Sequence, residues 1–256
     1  MAFSATLDDE RRGLFVLTED GIKPILLQED SFPVFSGDEI LEHVDLPVIN
    51  DKGEIVFRGR FSESSKIPSS INNSSEGVFL FREGEIIPVK LPGQQAPGTN
   101  GMVFGQGHSS WIALGNNSEV IYRGSFIKPG KNANDLRSGE GSGLYLWSDG
   151  ETRILALEGD RIPGAKGSFI SSPGILTKNT INDSGDIVLS AATTRLGGLF
   201  LFSGEEITPI VLAQDPPPEI KGVILTSTAS INNRGDIVFF GDDILRRTGV
   251  FLAKMR

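Results

Sequence analysis

The sequence predicts an all-β, β-propeller-like fold of about five blade units, each a four-stranded antiparallel sheet, with incomplete units at both ends. One observation is a glycine-led apolar segment with an aromatic residue at its third position, which occurs five times. The others are short apolar runs bounded by Gly, Asn and Asp, and the lack of any 3.6-residue period. Repeats of this kind bury their apolar faces by stacking on neighbouring repeats. The five segments are Gly13–Leu17, Gly77–Phe81, Gly143–Trp147, Gly198–Phe202 and Gly249–Ala253.

Each repeat unit is predicted to hold four strands, which we call a, b, c and d in chain order. Strand c is the glycine-led segment, strand b has an Ile-Val-Phe pattern, and strand a is the least regular. The predicted b strands start at Met1, Ile55, Val120, Ile187 and Ile237, and the predicted a strands run over 40–49, 103–114, 169–181 and 223–231.

The predicted turns order these strands. The segments Asn50–Gly53, Asn182–Gly185 and Asn232–Gly235 lie between strands a and b, where Asn, Asp and Gly favour tight hairpins. The c–d turns are also short, whereas the b–c and d–a connections are longer and variable. The third unit departs from the pattern, because Gly115 and Ser118 stand in the Asn and Gly places.

Proline identifies the edge of each blade. Pro24, Pro88 and Pro209 recur inside strand d, and proline lacks the N–H that a central strand needs. Strand d is therefore predicted to be the outer edge, and strand a the inner strand. An open β-repeat superhelix of the same units is the alternative. We expect one repeat domain over 1–256, an excerpt of a longer array or a set with incomplete ends, with approximate units 1–30, 31–92, 93–158, 159–213 and 214–256.

Two motifs carry a family resemblance. Asn50-x-x-Gly53-x-x-x-Phe57 and Asn232-x-x-Gly235-x-x-x-Phe239 resemble the bacterial N-x-x-G-x-x-x-F tandem-repeat proteins, and the segment 158–164, Glu-Gly-Asp-Arg-Ile-Pro-Gly, resembles their companion element. The resemblance implies a propeller-like module of unestablished activity that is exported or held at the cell surface. The chain itself carries no export signal, so a cytoplasmic location stays open.

Composition narrows the classes of partner. A net charge of −9 and a pI near 4.8 oppose the phosphates of nucleic acid, which we exclude as a partner. The absence of cysteine removes disulfides and thiolate chemistry. No apolar run is long enough for a membrane helix, so membrane insertion is not expected. A protein or a glycan is the expected partner, and the oligomeric state stays open.

Groups suited to catalysis are few. His43 and His108 are the only histidines, and no Gly-x-Ser-x-Gly motif occurs. Acidic residues follow strand d in several units, and such a rim of carboxylates could bind Ca²⁺, supply a glycosidase pair, or simply be solvated. We expect no cofactor, with Ca²⁺ as the alternative. These rim residues are Glu29, Asp30, Glu158, Asp160 and Asp215.

The predicted function is a non-catalytic recognition or scaffolding module, and the alternative is a glycan-active hydrolase or lyase that uses the rim carboxylates. In an a–b–c–d blade the b–c and d–a connections share one face, and variable loops on a rigid scaffold are where binding residues tend to lie. That face is the predicted site, unless its long loops are only tolerated insertions. Its polar candidates are Lys131, Asp135, Arg137, Asp160 and Arg161.

Overall fold

The protein is described from a computed structural model over residues 1–32, 39–63, 75–106, 111–130, 140–161, 170–174, 180–193, 197–212, 224–242 and 248–254. All the regular secondary structure among these residues is β-strand, and the strands form small antiparallel sheets. The predicted all-β, propeller-like fold class is confirmed. The described part of the chain holds no helix long and apolar enough to cross a membrane.

The described residues form five sheets that follow one another along the chain, and the strands present in each sheet keep the predicted a–b–c–d order. The first sheet has the order β1-β2-β3 and the second β4-β5-β6-β7, each in sequence order. The strands are β1 (Ala2–Thr6), β2 (Arg12–Thr18), β3 (Gly21–Leu27), β4 (Glu39–Ile49), β5 (Ile55–Glu63), β6 (Ser75–Arg82) and β7 (Glu85–Lys90).

The third sheet corrects one prediction. The expected single strand a over 103–114 is two short strands, and each of them pairs with strand b of the sheet. Gly105 and Gly107 fall in the middle of the expected strand, and glycine weakens a strand interior. The sheet has the order β12-β11-β10-β8, with β9 also on β10, and consists of β8 (Val103–Phe104), β9 (Ile112–Leu114), β10 (Val120–Ile127), β11 (Gly141–Ser148) and β12 (Glu151–Leu157).

The fourth sheet is complete, and the fifth has three strands in the described residues, in the order β17-β18-β19. The fourth runs β13-β14-β15-β16. The strands are β13 (Ile170–Gly174), β14 (Ile187–Thr193), β15 (Gly197–Ser203), β16 (Glu206–Leu212), β17 (Ile224–Ile231), β18 (Ile237–Asp242) and β19 (Thr248–Ala253).

The chain divides into two compact units. The first comprises Met1–Ile112 and Gly124–Glu140, and the second comprises Ala113–Arg123 and Gly141–Arg256. The first unit has a core between the first and second sheets, where Phe57 and Phe79 are fully buried. In the second unit the described residues form a core between the third and fourth sheets and another between the fourth and fifth.

The prolines of strand d lie where the sequence predicts. Pro24, Pro88 and Pro209 belong to β3, β7 and β16, which are edge strands of their sheets. Each proline lies opposite the aromatic residue of strand c, and the register shifts by one residue just before that pair. The missing proline N–H therefore falls at a bulge on an edge, where no neighbouring strand needs it.

The glycine that opens strand c has a steric cause. At Gly77 an added Cβ would lie 2.7 Å from Cζ of Phe79, and at Gly198 it would lie 2.6 Å from the ring of Phe200. The aromatic ring two residues on folds back over the glycine, so any side chain there would collide with it. The repeated Gly-x-aromatic pattern is thus a packing requirement inside one strand.

The Asn-x-x-Gly turns share one hydrogen-bond pattern. In the turn between β4 and β5, Asn50 Oδ1 accepts from the backbone N–H groups of Lys52 and Glu54 at 3.1 and 3.0 Å, and Gly53 adopts a φ of 80°. Asn182 and Asn232 make the equivalent bonds in their turns. The predicted turns are therefore fixed by the asparagine side chain as well as by the glycine.

Candidate functional site

The turn after strand d is built the same way in three sheets. After β12, Asp160 Oδ2 accepts from the Leu157 N–H at 2.7 Å, and the Asp160 N–H donates to the Leu157 carbonyl at 3.1 Å. After β3, Asp30 makes the same pair of bonds with Leu27 at 2.8 and 3.1 Å. After β7, Gln94 Oε1 accepts from the Leu91 N–H at 2.8 Å. A side-chain oxygen at this position closes the turn, whether or not it carries charge.

The turn after β12 also joins the next sheet. Gly159 donates its N–H to the Ile170 carbonyl at 2.8 Å, and Ile170 donates to the Asp160 carbonyl at 2.9 Å. Glu158 Oε2 accepts from the Ser142 N–H at 3.1 Å. Backbone bonds to Leu157 and Ile170 hold Asp160, the residue directly before Arg161, in a defined place.

A cavity lies beside this turn in the second compact unit, with a volume of about 280 Å³. The described wall residues from the third and fourth sheets are apolar, and the exposed Asp160 and Arg161 mark the edge of the cavity toward solvent. Phe200 forms part of the wall with only 2% of its surface exposed. The lining residues are Ala156, Asp160, Arg161, Ile170, Leu189, Phe200 and Ile207.

Two of the five predicted site residues lie at the cavity. Asp160 and Arg161 are adjacent at the cavity, on a d–a connection as predicted. Lys131, Asp135 and Arg137 lie outside the described residues, and their part in a site stays a prediction.

Among the rim carboxylates, Asp30, Glu158 and Asp160 have structural partners, whereas Asp215 lies outside the described residues. Asp30 and Asp160 each accept a backbone N–H within their own turn. In the part of the chain that the structure describes, no three His, Asp or Glu side chains are grouped so that they could hold a metal ion. Asn50 Oδ1, in the turn between β4 and β5, is occupied by two backbone N–H groups. The alternative of a Ca²⁺ site stays a prediction.

The opposite a–b turns of the second unit are bonded to one another. Asp183 accepts from Asn116 Nδ2 at 2.8 Å and from Asn233 Nδ2 at 2.5 Å, and its own N–H donates to Asn233 Oδ1 at 3.0 Å. Asn117 Nδ2 donates to the Asp183 carbonyl at 3.0 Å. These amide and carboxylate groups connect successive turns, so they have a structural role that needs no ligand.

One of these turns contains a carboxylate oxygen that has no hydrogen-bond donor among the described residues. Gly115 stands in the asparagine place, and Glu119 Oε2 is buried with no hydrogen-bond partner among the described residues. In the equivalent turn Asn182 Nδ2 donates to Asp186 Oδ2 at 3.1 Å. Burial raises the pKa of Glu119, with the Arg153 charge acting in the opposite direction. The loss of one asparagine explains the unpaired carboxylate oxygen.

A charged network crosses the second sheet. The guanidinium of Arg58 on β5 bonds both carboxylate oxygens of Asp45 on β4, and its Nη1 lies 3.6 Å from Glu76 Oε1 on β6. Arg60 Nη2 lies 4.0 Å from Glu76 Oε2. Hydrogen bonding to Asp45 raises the pKa of Arg58, against the effect of burial. These ion pairs join neighbouring strands of one sheet.

Lys90 on β7 extends this network into a fully buried position. Its Nζ donates to the Gly105 carbonyl at 3.1 Å, and none of its surface is exposed. Burial lowers the pKa of Lys90 to about 8; the charge of Glu76 opposes this shift, and that of Arg58 adds to it. A perturbed lysine can indicate an active site, but here solvent does not reach Nζ. We assign Lys90 a structural role.

His43 is part of the same network, and its ring nitrogens face Asp45 and Arg12 among the described residues. Its Nε2 lies 3.4 Å from Asp45 Oδ2 and its Nδ1 lies 3.4 Å from Arg12 Nη1. Burial lowers the pKa of His43, opposed by Asp45 and assisted by the neighbouring arginines. His108 lies outside the described residues.

The comparisons with known proteins identify a family. The chain belongs to the family of unknown function DUF7453, whose profile matches residues 1–200. No relative of the chain is found among the curated proteins. Membership in the N-x-x-G-x-x-x-F repeat group stays a prediction.

Three solved structures with a similar backbone come from a peptidase, a protease domain and a sialidase. The acylaminoacyl peptidase of Pyrococcus horikoshii matches 98% of this chain and 36% of its own, with 12% identity and a TM-score of 0.46. The β-propeller domain of the Trilobed protease from Pyrococcus furiosus, described as having an open velcro topology, matches 100% and 78%, with 10% identity and a TM-score of 0.38. The Hadza microbial sialidase matches 98% and 55%, with 11% identity and a TM-score of 0.41. The chain spans about a third of the peptidase.

Proposed function

We propose that this protein is a non-catalytic recognition module that binds an apolar group of a partner in the cavity beside Asp160 and Arg161. The observation that carries the proposal is the cavity itself, about 280 Å³ of space lined mainly by apolar side chains. Its volume is close to the lower end of ordinary ligand sites, about 300–1,000 Å³. It suits one ring system or one large side chain.

The lining favours one of the two expected classes of partner. Ile170, Leu189 and Ile207 offer only hydrocarbon, and Phe200 is too buried to present a ring face to a sugar. A glycan needs many hydrogen-bonding groups in its site, whereas an aromatic or aliphatic side chain needs mainly an apolar cavity. A protein partner is therefore favoured over a glycan.

Two charged side chains lie at the edge of the cavity. Asp160 and Arg161 are adjacent and exposed there, and Asp160 Oδ2 is already bonded to the Leu157 N–H. We assign Arg161 the role of binding the polar or anionic end of the ligand, since a guanidinium binds carboxylates through charge-assisted hydrogen bonds. An extracytoplasmic location is part of the same proposal and is based on the repeat motifs.

The alternative of a glycan-active enzyme has less support. A glycosidase needs two carboxyl groups about 5–10 Å apart, one of them with a raised pKa. The cavity is lined by one acid, Asp160, among the described residues, and that acid closes a turn.

Calorimetry with small probes tests the proposal. The three probes are phenylacetate, an aromatic anion; phenethylammonium, an aromatic cation; and methyl glucoside, a neutral sugar. Phenylacetate is expected to bind with a Kd on the order of 1 mM. The variant L189F fills the cavity and should abolish binding, while R161Q should remove the preference for phenylacetate over phenethylammonium. The matched control R234Q changes an exposed arginine that is not among the cavity residues. Equal binding by L189F and the wild type would overturn the proposal.

A further inference from the structure

The fifth sheet leaves an apolar face uncovered. On β18 and β19, Val238 and Phe240 are 40% and 41% exposed, and Val250 and Leu252 are 64% and 58% exposed. They form two cross-strand pairs, because Val238 lies opposite Leu252 and Phe240 lies opposite Val250. We call these four residues the front patch.

The other sheets show what normally covers this face. The pair Val188 and Leu201 in the fourth sheet has the same register as Val238 and Leu252. Both are buried, in a core with Ile237 and Phe239 of the fifth sheet. The first sheet repeats the arrangement, with Leu14 and Val16 of β2 packed against the second sheet's residues Ile55, Phe57 and Phe81. In each case this face is covered by the face of the next sheet that points the other way, which we call the rear face.

The chain also exposes an unused rear face. In the first sheet Met1, Leu17 and Ile22 are 67%, 44% and 63% exposed, and we call these three residues the rear patch. Leu17 lies opposite Ile22, as Phe81 lies opposite Ile86 in the second sheet. Phe81 and Ile86 pack on the first-sheet core. The rear patch thus occupies the covering positions that the second sheet uses.

We propose that the front patch of one copy of this chain docks on the rear patch of a second copy, so that the protein associates head to tail. The partner is argued from the two internal interfaces, in which a front face of this pattern is covered by a rear face of the same chain. Head-to-tail contacts are heterologous and produce rings or open chains of copies. This association is independent of the ligand cavity.

Light scattering after size exclusion, over a series of protein concentrations, tests the proposal on the full chain. The measured mass of the wild type should rise above the 27.6 kDa of one chain as the protein concentration increases. The front-blocked variant V250E/L252E and the rear-blocked variant L17E/I22E should each stay monomeric. Mixed together they should form a 1:1 complex of twice the chain mass, because each still has one intact patch. The control K52E adds the same charge at an exposed turn and should behave as wild type.

Several outcomes would overturn the inference. These are a wild type that is monomeric at every concentration, a mixture that forms no complex, or a rear-blocked variant that still dimerises through its front patch. Far-UV CD checks that each variant folds, and V250T/L252T with L17T/I22T provide milder variants if the charged ones do not. The chain has no cysteine, so a short bismaleimide linker added to L17C/V250C reports the contact. Cross-linking between chains supports the proposal, and cross-linking only within one chain contradicts it.

Discussion

The carboxylate of Asp160 accepts the backbone N–H of Leu157, with Oδ2 2.7 Å from the nitrogen, and this bond closes the turn that presents Arg161 to the cavity. In the second sheet Gln94 closes the equivalent turn on Leu91 with an amide oxygen at 2.8 Å. The position therefore requires a hydrogen-bond acceptor and does not require a negative charge. This turn connects the repeat pattern of the sequence to the proposed site.

Substitutions at Asp160 separate the effect of the hydrogen-bond acceptor from the effect of the negative charge. D160N keeps an acceptor and should unfold in urea with the wild-type midpoint, whereas D160A loses the bond and should be destabilised by about 1 kcal/mol. D160A should also bind phenylacetate more weakly, since Arg161 is no longer held in place. The exposed Glu151→Ala, in the same hairpin, is the control. If D160N behaved like D160A, the charge would be what matters.

Phe79 and Phe200 are buried as core residues of two different sheets, with 0% and 2% of their surface exposed. Replacing either by alanine should lower the free energy of unfolding by about 3–5 kcal/mol, because each leaves a large cavity. The exposed Lys52→Ala should change it by less than about 0.5 kcal/mol. Urea midpoints give the comparison. A loss below about 1 kcal/mol would show that the sheets do not pack through these rings.

Glu119 should destabilise the protein at neutral pH. Its pKa is raised by burial, so the folded state disfavours the ionised form, and the cost is fully present above the folded pKa. The cost disappears as pH falls below the ordinary value of 4.5. E119Q should therefore be more stable than wild type at pH 7 and lose this advantage near pH 4. Glu54, whose Oε2 accepts from Asn50 at 2.5 Å, provides the control E54Q, which should gain nothing.

Lys90 should make stability depend on pH in the alkaline range. Burial lowers its pKa from 10.5 to about 8, so between these values the unfolded chain binds a proton that the folded chain lacks. Wild-type stability should rise by about 3 kcal/mol relative to K90M as pH increases from 8 to 10.5, at about 1.4 kcal/mol per pH unit. The exposed Lys23→Met is the control. If the free energies of unfolding of wild type and K90M changed in parallel between pH 8 and 10.5, the assignment would be contradicted.

The strand order follows from short-range signals in the sequence. Pro88 and Pro209 predict edge strands because a missing N–H is tolerated only there, and the turns at Asn50 and Asn182 predict hairpins because their side chains bond the local backbone. These effects act within a few residues. Among the described residues, the strand expected over 103–114 is broken after Phe104, where Gly105 follows, and the strand expected over 169–181 runs only over Ile170–Gly174.

The cavity and the charged network depend on residues far apart in the chain. Ala156 and Phe200 become neighbours of the cavity only after two sheets pack, so no local pattern identifies it. The burial of Lys90 could have been predicted from the sequence, because the d strands of three other sheets carry Leu26, Ala156 and Val211 at the position of Lys90. A lysine among these apolar residues marks a buried charge. Asp160 and Arg161 were predicted from their loop position alone.

The location of a bound probe tests the central claim most directly. Methyl NMR of protein labelled at isoleucine and leucine, titrated with phenylacetate, reports on Ile170, Leu189 and Ile207 at the cavity and on Ile55 and Ile237 in other cores. We predict shifts confined to the three cavity residues and absent in L189F. Shifts at Ile181 and Ile231, beside the Asn-x-x-Gly turns, with none at the cavity, would contradict the account.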